Sequence, residues 1–211
     1  MTTLRANMVA EQIAARGIHD RSVLRAMGVV PRELFVPERY QPYAYDDTPL
    51  PLPGKQTISQ PYVVALMLSE LAVSEEDMVL EIGTGSGYVA ALLGEMVREV
   101  HTVERVRELV EYARERLERL GYENVHVHHG DGTLGWPAAA PYDGIVVAAG
   151  GPEIPKALRN QLAEGGHLVI PVGRSERRQQ LIVVIREEGT RFEEHELGAV
   201  AFVPLIGEEG W

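Results

Sequence analysis

The sequence predicts an α/β fold: a mostly parallel sheet with a C-terminal antiparallel hairpin, preceded by an N-terminal helical extension. Three features predict it. Short apolar runs alternate with amphipathic helical stretches from Met78 to Ile170, a glycine cluster at 83–87 follows the first run, and Glu187-Glu188-Gly189-Thr190 separates two strand-like segments near the end. Such alternation buries a parallel sheet beneath helices, whereas a short polar break containing glycine joins antiparallel neighbours. No internal repeat or linker divides the 211 residues. One domain is therefore expected over 1–211, with 1–73 as helical extension and loop and 74–211 as the α/β core.

Taken in order, Met8, Val9, Ile13 and Ala14 lie near helical spacing, and Gly17 suits the left-handed position past a helix end. Asp20 is placed to cap a helix over Arg21–Met27, and Pro31 to open a turn through Phe35. Residues 37–54 carry Pro at 37, 42, 49, 51 and 53, too many for a helix or central strand, so an ordered loop serving as lid or wall is expected. Ser59 precedes Pro61 and the helical repeat of Val63, Val64, Met67, Leu68 and Leu71, and reads as its N-cap. Met78–Ile82 is the first parallel strand, followed by the glycine loop and an apolar helix to Val97. Val100–Val103 is the second strand, and Val106, Leu109, Val110, Ala113, Leu117 and Leu120 mark one face of a long helix that Gly121 stops. Strands at Val125–His129, Gly144–Ala148 and His167–Ile170 and a helix over Pro155–Leu162 complete the parallel part. Leu181–Ile185 and Phe192–Leu197 form the hairpin, and Val200–Leu205 is the last strand-like stretch.

Composition narrows the function. Lys plus Arg at 20 against Asp plus Glu at 31 leaves −11, which disfavours duplex nucleic acid or anionic lipid as a main partner, since both need a cationic face. No segment has the length and hydrophobicity of a membrane span or a signal-peptide core, so a cytoplasmic protein is expected; the sequence does not give the oligomeric state, and a monomer is favoured. The absence of Cys removes disulfides, zinc-thiolate sites and thiol nucleophiles together.

The chemistry concentrates at strand ends. Glu81-Ile82-Gly83-Thr84-Gly85-Ser86-Gly87 sits at the carboxyl end of the first parallel strand, where open α/β sheets form their ligand crevice. A dinucleotide fingerprint would place a small residue at 88, which is Tyr, and the Glu81 carboxylate would repel a pyrophosphate. A carboxylate there instead suits the ammonium of a zwitterionic ligand, which points to S-adenosylmethionine, with S-adenosylhomocysteine as product. Glu104, ending the second strand, is placed to accept from both ribose hydroxyls. Asp131 in Gly130-Asp131-Gly132 is either an acceptor for the adenine amino group or a solvated loop carboxylate. His126 and His128 share a strand face, yet no third ligand has zinc-like spacing, so no metal is expected. The fold expected is thus Rossmann-like, with an S-adenosylmethionine site at its strand ends; the resemblance below implies a methyltransferase of that fold.

These residues lie within segments that closely resemble the protein-L-isoaspartate O-methyltransferase family over nearly the whole chain. The most specific is Thr57-Ile58-Ser59-Gln60-Pro61-Tyr62, joined by Val-Ala-Glu-Gln-Ile-Ala-Ala-Arg-Gly-Ile at 9–18, Val-Pro-Arg-Glu-Leu-Phe-Val-Pro at 30–37, and Val79 to Tyr88. Gly130-Asp131-Gly132, Pro141-Tyr142-Asp143, Gly165 to Gly173 and Phe202-Val203-Pro204-Leu205 match as well; Tyr62 stands where some members carry His. The resemblance implies methylation of the free carboxylate of L-isoaspartyl residues, with D-aspartyl residues a possible second substrate, in damaged peptides and proteins. The ester then closes to a succinimide unaided. It implies Ser59 as the catalytic residue and Thr57, Ile58, Gln60, Phe202 and Val203 as substrate contacts.

Residue chemistry is compatible with that role for Ser59. A carboxylate attacks a sulfonium methyl without a general base, so the protein must only desolvate and align it, which a hydroxyl at a helix start can do. Capping alone is the plainer reading of the same residue. Phe202–Leu205 is expected to present backbone to an extended substrate as an added strand does. Arg174, Arg177 and Arg178 either offset the negative field near the substrate or form a solvated loop. Two rivals stay open: a methyltransferase for another carboxylate or small molecule, and a binding module that holds the cofactor without transferring methyl.

Overall fold

The computed structural model describes residues 1–175 and 178–211. Helix α1 (Thr2–Asn7) runs on through a π-helical turn (Met8–Ile13) and a 3-10 turn (Ala14–Arg16) to Gly17, whose φ of 97° ends the segment. Asp20 caps α2 (Arg21–Val29), accepting from the N–H groups of Ser22 at 2.8 Å and Val23 at 3.0 Å. The proline-rich stretch is not wholly irregular. It holds a 3-10 run over Glu38–Tyr43 and strand β1 (Leu50–Pro51), which pairs antiparallel with β2 (Thr57–Ile58).

Helix α3 spans Pro61–Ser69, and its N-cap is Gln60, not Ser59. The carboxylate that serves the helix start comes from the proline-rich stretch: Asp47 Oδ1 accepts from Tyr62 N–H at 3.1 Å and Oδ2 from the Gln60 side-chain amide at 2.8 Å. Because Asp47 supplies the acceptor, the Ser59 hydroxyl is not drawn back onto the helix.

The core follows as β3 (Met78–Ile82), α4 (Tyr88–Gly94), β4 (Glu99–Glu104), α5 (Arg107–Leu120), β5 (Val125–His129), β6 (Tyr142–Val147), α6 (Lys156–Gln161), β7 (Leu162–Ser175), β8 (Arg178–Arg186) and β9 (Phe192–Val200). The sheet order is β5-β4-β3-β6-β7-β8-β9. Strands β5 through β7 are parallel, and β8 and β9 add antiparallel. The hairpin is therefore a three-strand antiparallel edge, longer than the sequence suggested. Arg174 and Arg178 lie in β7 and β8, not in a loop, and Arg177 falls outside the described residues. Of the expected stretch Val200–Leu205, Val200 ends β9 and the rest is not a strand, making one parallel bridge, Pro204 to Gly150.

Alternation along the strands divides the interior in two. Val79, Val100, Val146, Val169 and Val183 face one cluster with Met8, Ile13, Phe35, Leu68, Leu92 and Leu117, so the N-terminal helices, α3, α4 and α5 share that side. Leu80, Ile82, Val103, Ile145, Val147, Leu168 and Ile170 face the other, with Leu158 of α6 and Leu205 of the C-terminal tail. Each buried aliphatic side chain contributes roughly 1.5–3 kcal/mol of transfer free energy. The same alternation turns Glu81, between Leu80 and Ile82, toward the side that carries α3 and the 57–60 segment.

Candidate active site

The chain lays β3, β4 and β5 in one direction across the sheet, then returns to place β6 on the other side of β3. A crevice opens at such a reversal, at the carboxyl ends of the strands. Here it is a cleft lined by Glu81 near the end of β3 and Gly83, Thr84, Gly85 and Ser86 after it, Glu104 at the end of β4, Gly132 after β5, and Ala148 after β6. Gly83, Gly85 and Gly87 have φ of 92°, 53° and 86°, which only glycine adopts without strain, and Gly87 precedes α4 rather than lining the cleft.

Glu81 is fully buried. Its Oε2 accepts from the Thr102 hydroxyl at 2.6 Å, and the Thr84 hydroxyl lies 2.6 Å from that of Thr102, while Oε1 has no partner. Burial, with a smaller contribution from the nearby Glu104, pushes its pKa up to about 8, although the Thr102 hydrogen bond opposes this. A buried carboxyl with an unused oxygen facing a cleft is a ready acceptor for an ammonium. Glu104 holds the cleft's shape: Oε2 accepts from Gly85 N–H at 3.0 Å and Oε1 from Val106 N–H at 2.9 Å.

Asp131 is placed differently from the sequence expectation. Its Oδ1 takes the Thr133 N–H at 2.9 Å and hydroxyl at 2.7 Å, Oδ2 takes the Glu208 N–H at 2.8 Å, and the residue does not line the cleft. Partial burial raises its pKa, but these donors outweigh it and hold the carboxyl below its usual value. Asp131 thus clamps the C-terminal tail onto the turn that carries Gly132. A Cβ on Gly132 would meet Ile82 Cγ2 at 2.4 Å, so glycine is required for this close approach.

A second, largely apolar groove meets the cleft. Thr57, Ser59, Ala148, Val203 and Pro204 line both, and Gln60, Val63 and Phe202 line the groove alone. Ile58 lines only the cleft. Among the described residues the Ser59 hydroxyl makes no hydrogen bond, whereas its carbonyl accepts from Arg32 Nη2 at 3.0 Å. The Phe202 main chain is occupied: its N–H donates to Gln179 Oε1 at 2.8 Å and its carbonyl accepts from Gln179 Nε2 at 3.3 Å. Strand addition onto Phe202 itself is therefore unavailable, because a buried amide side chain already fills both positions. Ala148, which sequence reasoning missed, carries no chemistry of its own; its place at the end of β6 was the available signal.

The histidines of β4 and β5 pack among themselves. His101 Nδ1 lies 2.9 Å from His128 Nε2, Glu99 approaches His101 and His126 at 3.2 and 3.4 Å, and Trp136 stacks on His128 at 3.9 Å. Among the described residues no group fit to hold a metal ion is present.

The family model for protein-L-isoaspartate(D-aspartate) O-methyltransferase matches residues 4–210. The chain belongs to this family. It is 55% identical over 204 residues to the protein-L-isoaspartate O-methyltransferase of Rhodopseudomonas palustris, covering 97% of this chain and 94% of that one. With protein-L-isoaspartate O-methyltransferase 2 of Pelobacter propionicus the identity is 57%, covering 97% and 91%. A solved protein-L-isoaspartate O-methyltransferase superposes with a TM-score of 0.86 at 31% identity, covering 98% of this chain and 67% of that chain. A Plasmodium falciparum protein assigned to the same activity, crystallised with S-adenosyl-L-homocysteine, gives 0.80 at 27% identity, covering 97% of each. Membership makes this isoaspartate methyltransferase an S-adenosylmethionine-dependent protein carboxyl O-methyltransferase, which sets aside the non-enzymatic rival. Among the described residues no helix is long and apolar enough to cross a membrane.

Proposed function

We propose that this isoaspartate methyltransferase binds the methyl acceptor in the apolar groove and the donor in the strand-end cleft, and that Ser59 aligns the isoaspartyl carboxylate where the two meet. The observation that carries this reading is the Ser59 hydroxyl, uncommitted among the described residues and lining both cavities. S-adenosylmethionine, when bound, supplies an electrophilic methyl. The residues supply placement: Glu81 would take the ammonium, the 83–87 loop would hold the amino-acid part, Glu104 would take the ribose hydroxyls, and Gly132 would meet the adenine. Asp131 acts from behind by fixing Gly132 and the tail. Thr57, Gln60, Phe202 and Val203 form the groove walls and Ile58 the cleft side of the same segment, and the acceptor class extends to D-aspartyl residues. No proton need be removed, since the acceptor is already an anion; exclusion of water by the apolar groove and alignment by Ser59 carry the rate.

The test is methyl transfer to paired isoaspartyl and aspartyl peptides, with wild type and Ser59→Ala. Transfer to the isoaspartyl peptide alone is expected. Ser59→Ala should lower kcat by about tenfold or more, the loss of one aligned hydrogen bond to a charged group, and leave the dissociation constant for S-adenosylhomocysteine unchanged. An unchanged kcat removes Ser59 from the mechanism.

A further inference from the structure

Arg32 is fully buried, and its guanidinium makes no salt bridge among the described residues. Nε donates to the Ala44 carbonyl at 2.7 Å and Nη2 to the Ser59 carbonyl at 3.0 Å, while Nη1 has no partner. Its neighbour on α4 is Tyr88, whose ring centroid lies 5.0 Å from Cζ and whose buried hydroxyl faces the guanidinium without completing a hydrogen bond of normal geometry. Tyr88 does not neutralise the charge: burial pushes its pKa up to about 12, leaving it a neutral phenol. Burial lowers the Arg32 pKa as well, but a guanidinium stays protonated at any physiological pH. Asp47, the carboxylate that the same electrostatics bring to bear on Arg32, is already spent on Arg16 at 2.6 Å and on the start of α3. A buried cation without a counterion is costly and needs a reason.

The geometry points to Arg32 as the positioning residue of the acceptor site: through the Ser59–Gln60 peptide group it presents its positive charge to the carboxylate bound at the Ser59 hydroxyl. This rests on the acceptor reading of the groove. A trans peptide holds C=O and N–H antiparallel, so with the Ser59 carbonyl turned to Arg32, the Gln60 N–H points away from it. That N–H has no partner among the described residues, and Gln60 lines the groove. A guanidinium on the carbonyl oxygen polarises the peptide and strengthens the opposite donor. The start of α3 cannot take this part, because Asp47 already faces it. Arg178, the cation that lines the groove, is exposed and screened by water.

The experiment measures binding of two peptides to the protein saturated with S-adenosylhomocysteine. One carries the free isoaspartyl carboxylate and the other its carboxamide. Wild type should prefer the carboxylate. Arg32→Met should reduce that preference about tenfold or more, the worth of one charge-assisted contact, with the S-adenosylhomocysteine dissociation constant within twofold. Arg32→Lys keeps the charge but cannot span both carbonyls, and should keep the preference while raising the dissociation constants of both peptides. A preference unchanged in Arg32→Met, or lost in Arg178→Met instead, overturns the role of Arg32. Should Arg32→Met fail to fold, NMR of the wild type decides: the Gln60 amide and Arg32 Nε–H resonances should shift with the carboxylate peptide and not with the carboxamide. Absence of that difference overturns the proposal. If wild type binds neither peptide, the acceptor reading itself falls, and this inference with it.

Discussion

Replacing Glu81 by Gln tests the cofactor half of the site most directly. With its pKa at about 8, the buried Glu81 is mostly protonated in the free protein at pH 7. Pairing with a ligand ammonium requires the carboxylate, so binding at pH 7 must expel a proton at a cost of about 1.4 kcal/mol, one unit's worth. Wild-type affinity for S-adenosylhomocysteine should rise by about tenfold between pH 6 and 7 and by about fivefold more between pH 7 and 8, levelling off only above pH 8. At pH 7 close to one proton should be released. Calorimetry in two buffers of different ionisation enthalpy measures both. Glu81→Gln keeps an oxygen for the Thr102 hydroxyl but cannot ionise, so its affinity should be pH-independent over this range and weaker by about 2 kcal/mol at pH 8. Stability moves the other way. A pKa raised above the unfolded value means stability fully present below about pH 4.5 and progressively lost as pH rises through about 8, a penalty that the variant escapes. Wild-type binding with no proton release and a flat affinity profile would refute the assignment of Glu81 to the ammonium.

Glu104→Ala strands the N–H groups of Gly85 and Val106 as well as removing the ribose acceptor, so S-adenosylhomocysteine should bind at least about 30-fold more weakly; calorimetry showing a change under twofold would reject the role. Asp47→Ala removes the acceptor at the start of α3 and the partner of Arg16, and should cost roughly 1–2 kcal/mol in chemical denaturation while sparing cofactor affinity. His128 is held to about pKa 4, by burial first and then by His101, His126 and Arg114. Its contribution to stability is present above about pH 6.5 and lost as pH falls toward 4, opposite in sign to that of Glu81. His128→Phe, which keeps an aromatic ring against Trp136, should lose less stability than wild type between pH 6.5 and 4.5; parallel urea-midpoint curves would sink this assignment.

The cofactor cleft was legible because its determinants are local. A strand, a glycine loop of positive φ and an acid at the next strand end lie within a short stretch of chain, and the parallel sheet brings their ends together. The acceptor side depends on pairings that a single sequence does not display. Ser59 read as a helix cap because nothing in its neighbourhood reveals that Asp47 reaches the Tyr62 N–H. Asp131 read equally as a ligand acceptor or a solvated loop carboxylate because its partner Glu208 lies 77 residues away. Phe202 looked free to accept a strand until Gln179 folded onto its main chain. In each case a polar side chain satisfied a distant backbone group, and such groups are obligatory but their partners are not encoded by spacing.

These distant pairings leave two buried groups of opposite charge type incompletely satisfied, Glu81 on the donor side and Arg32 behind the acceptor. Methyl transfer to a carboxylate converts an anion into a neutral ester, so negative charge on the acceptor is lost along the reaction. A guanidinium in direct contact would stabilise the starting anion more than the transition state, and binding of that kind lowers KM at the expense of kcat. Placed behind the Ser59–Gln60 peptide, Arg32 acts at one remove. It favours entry of a carboxylate into the groove of a protein whose net charge of −11 would otherwise repel it. The nucleophilic oxygen remains unpaired with a cation, and the neutral ester loses the interaction that held its precursor.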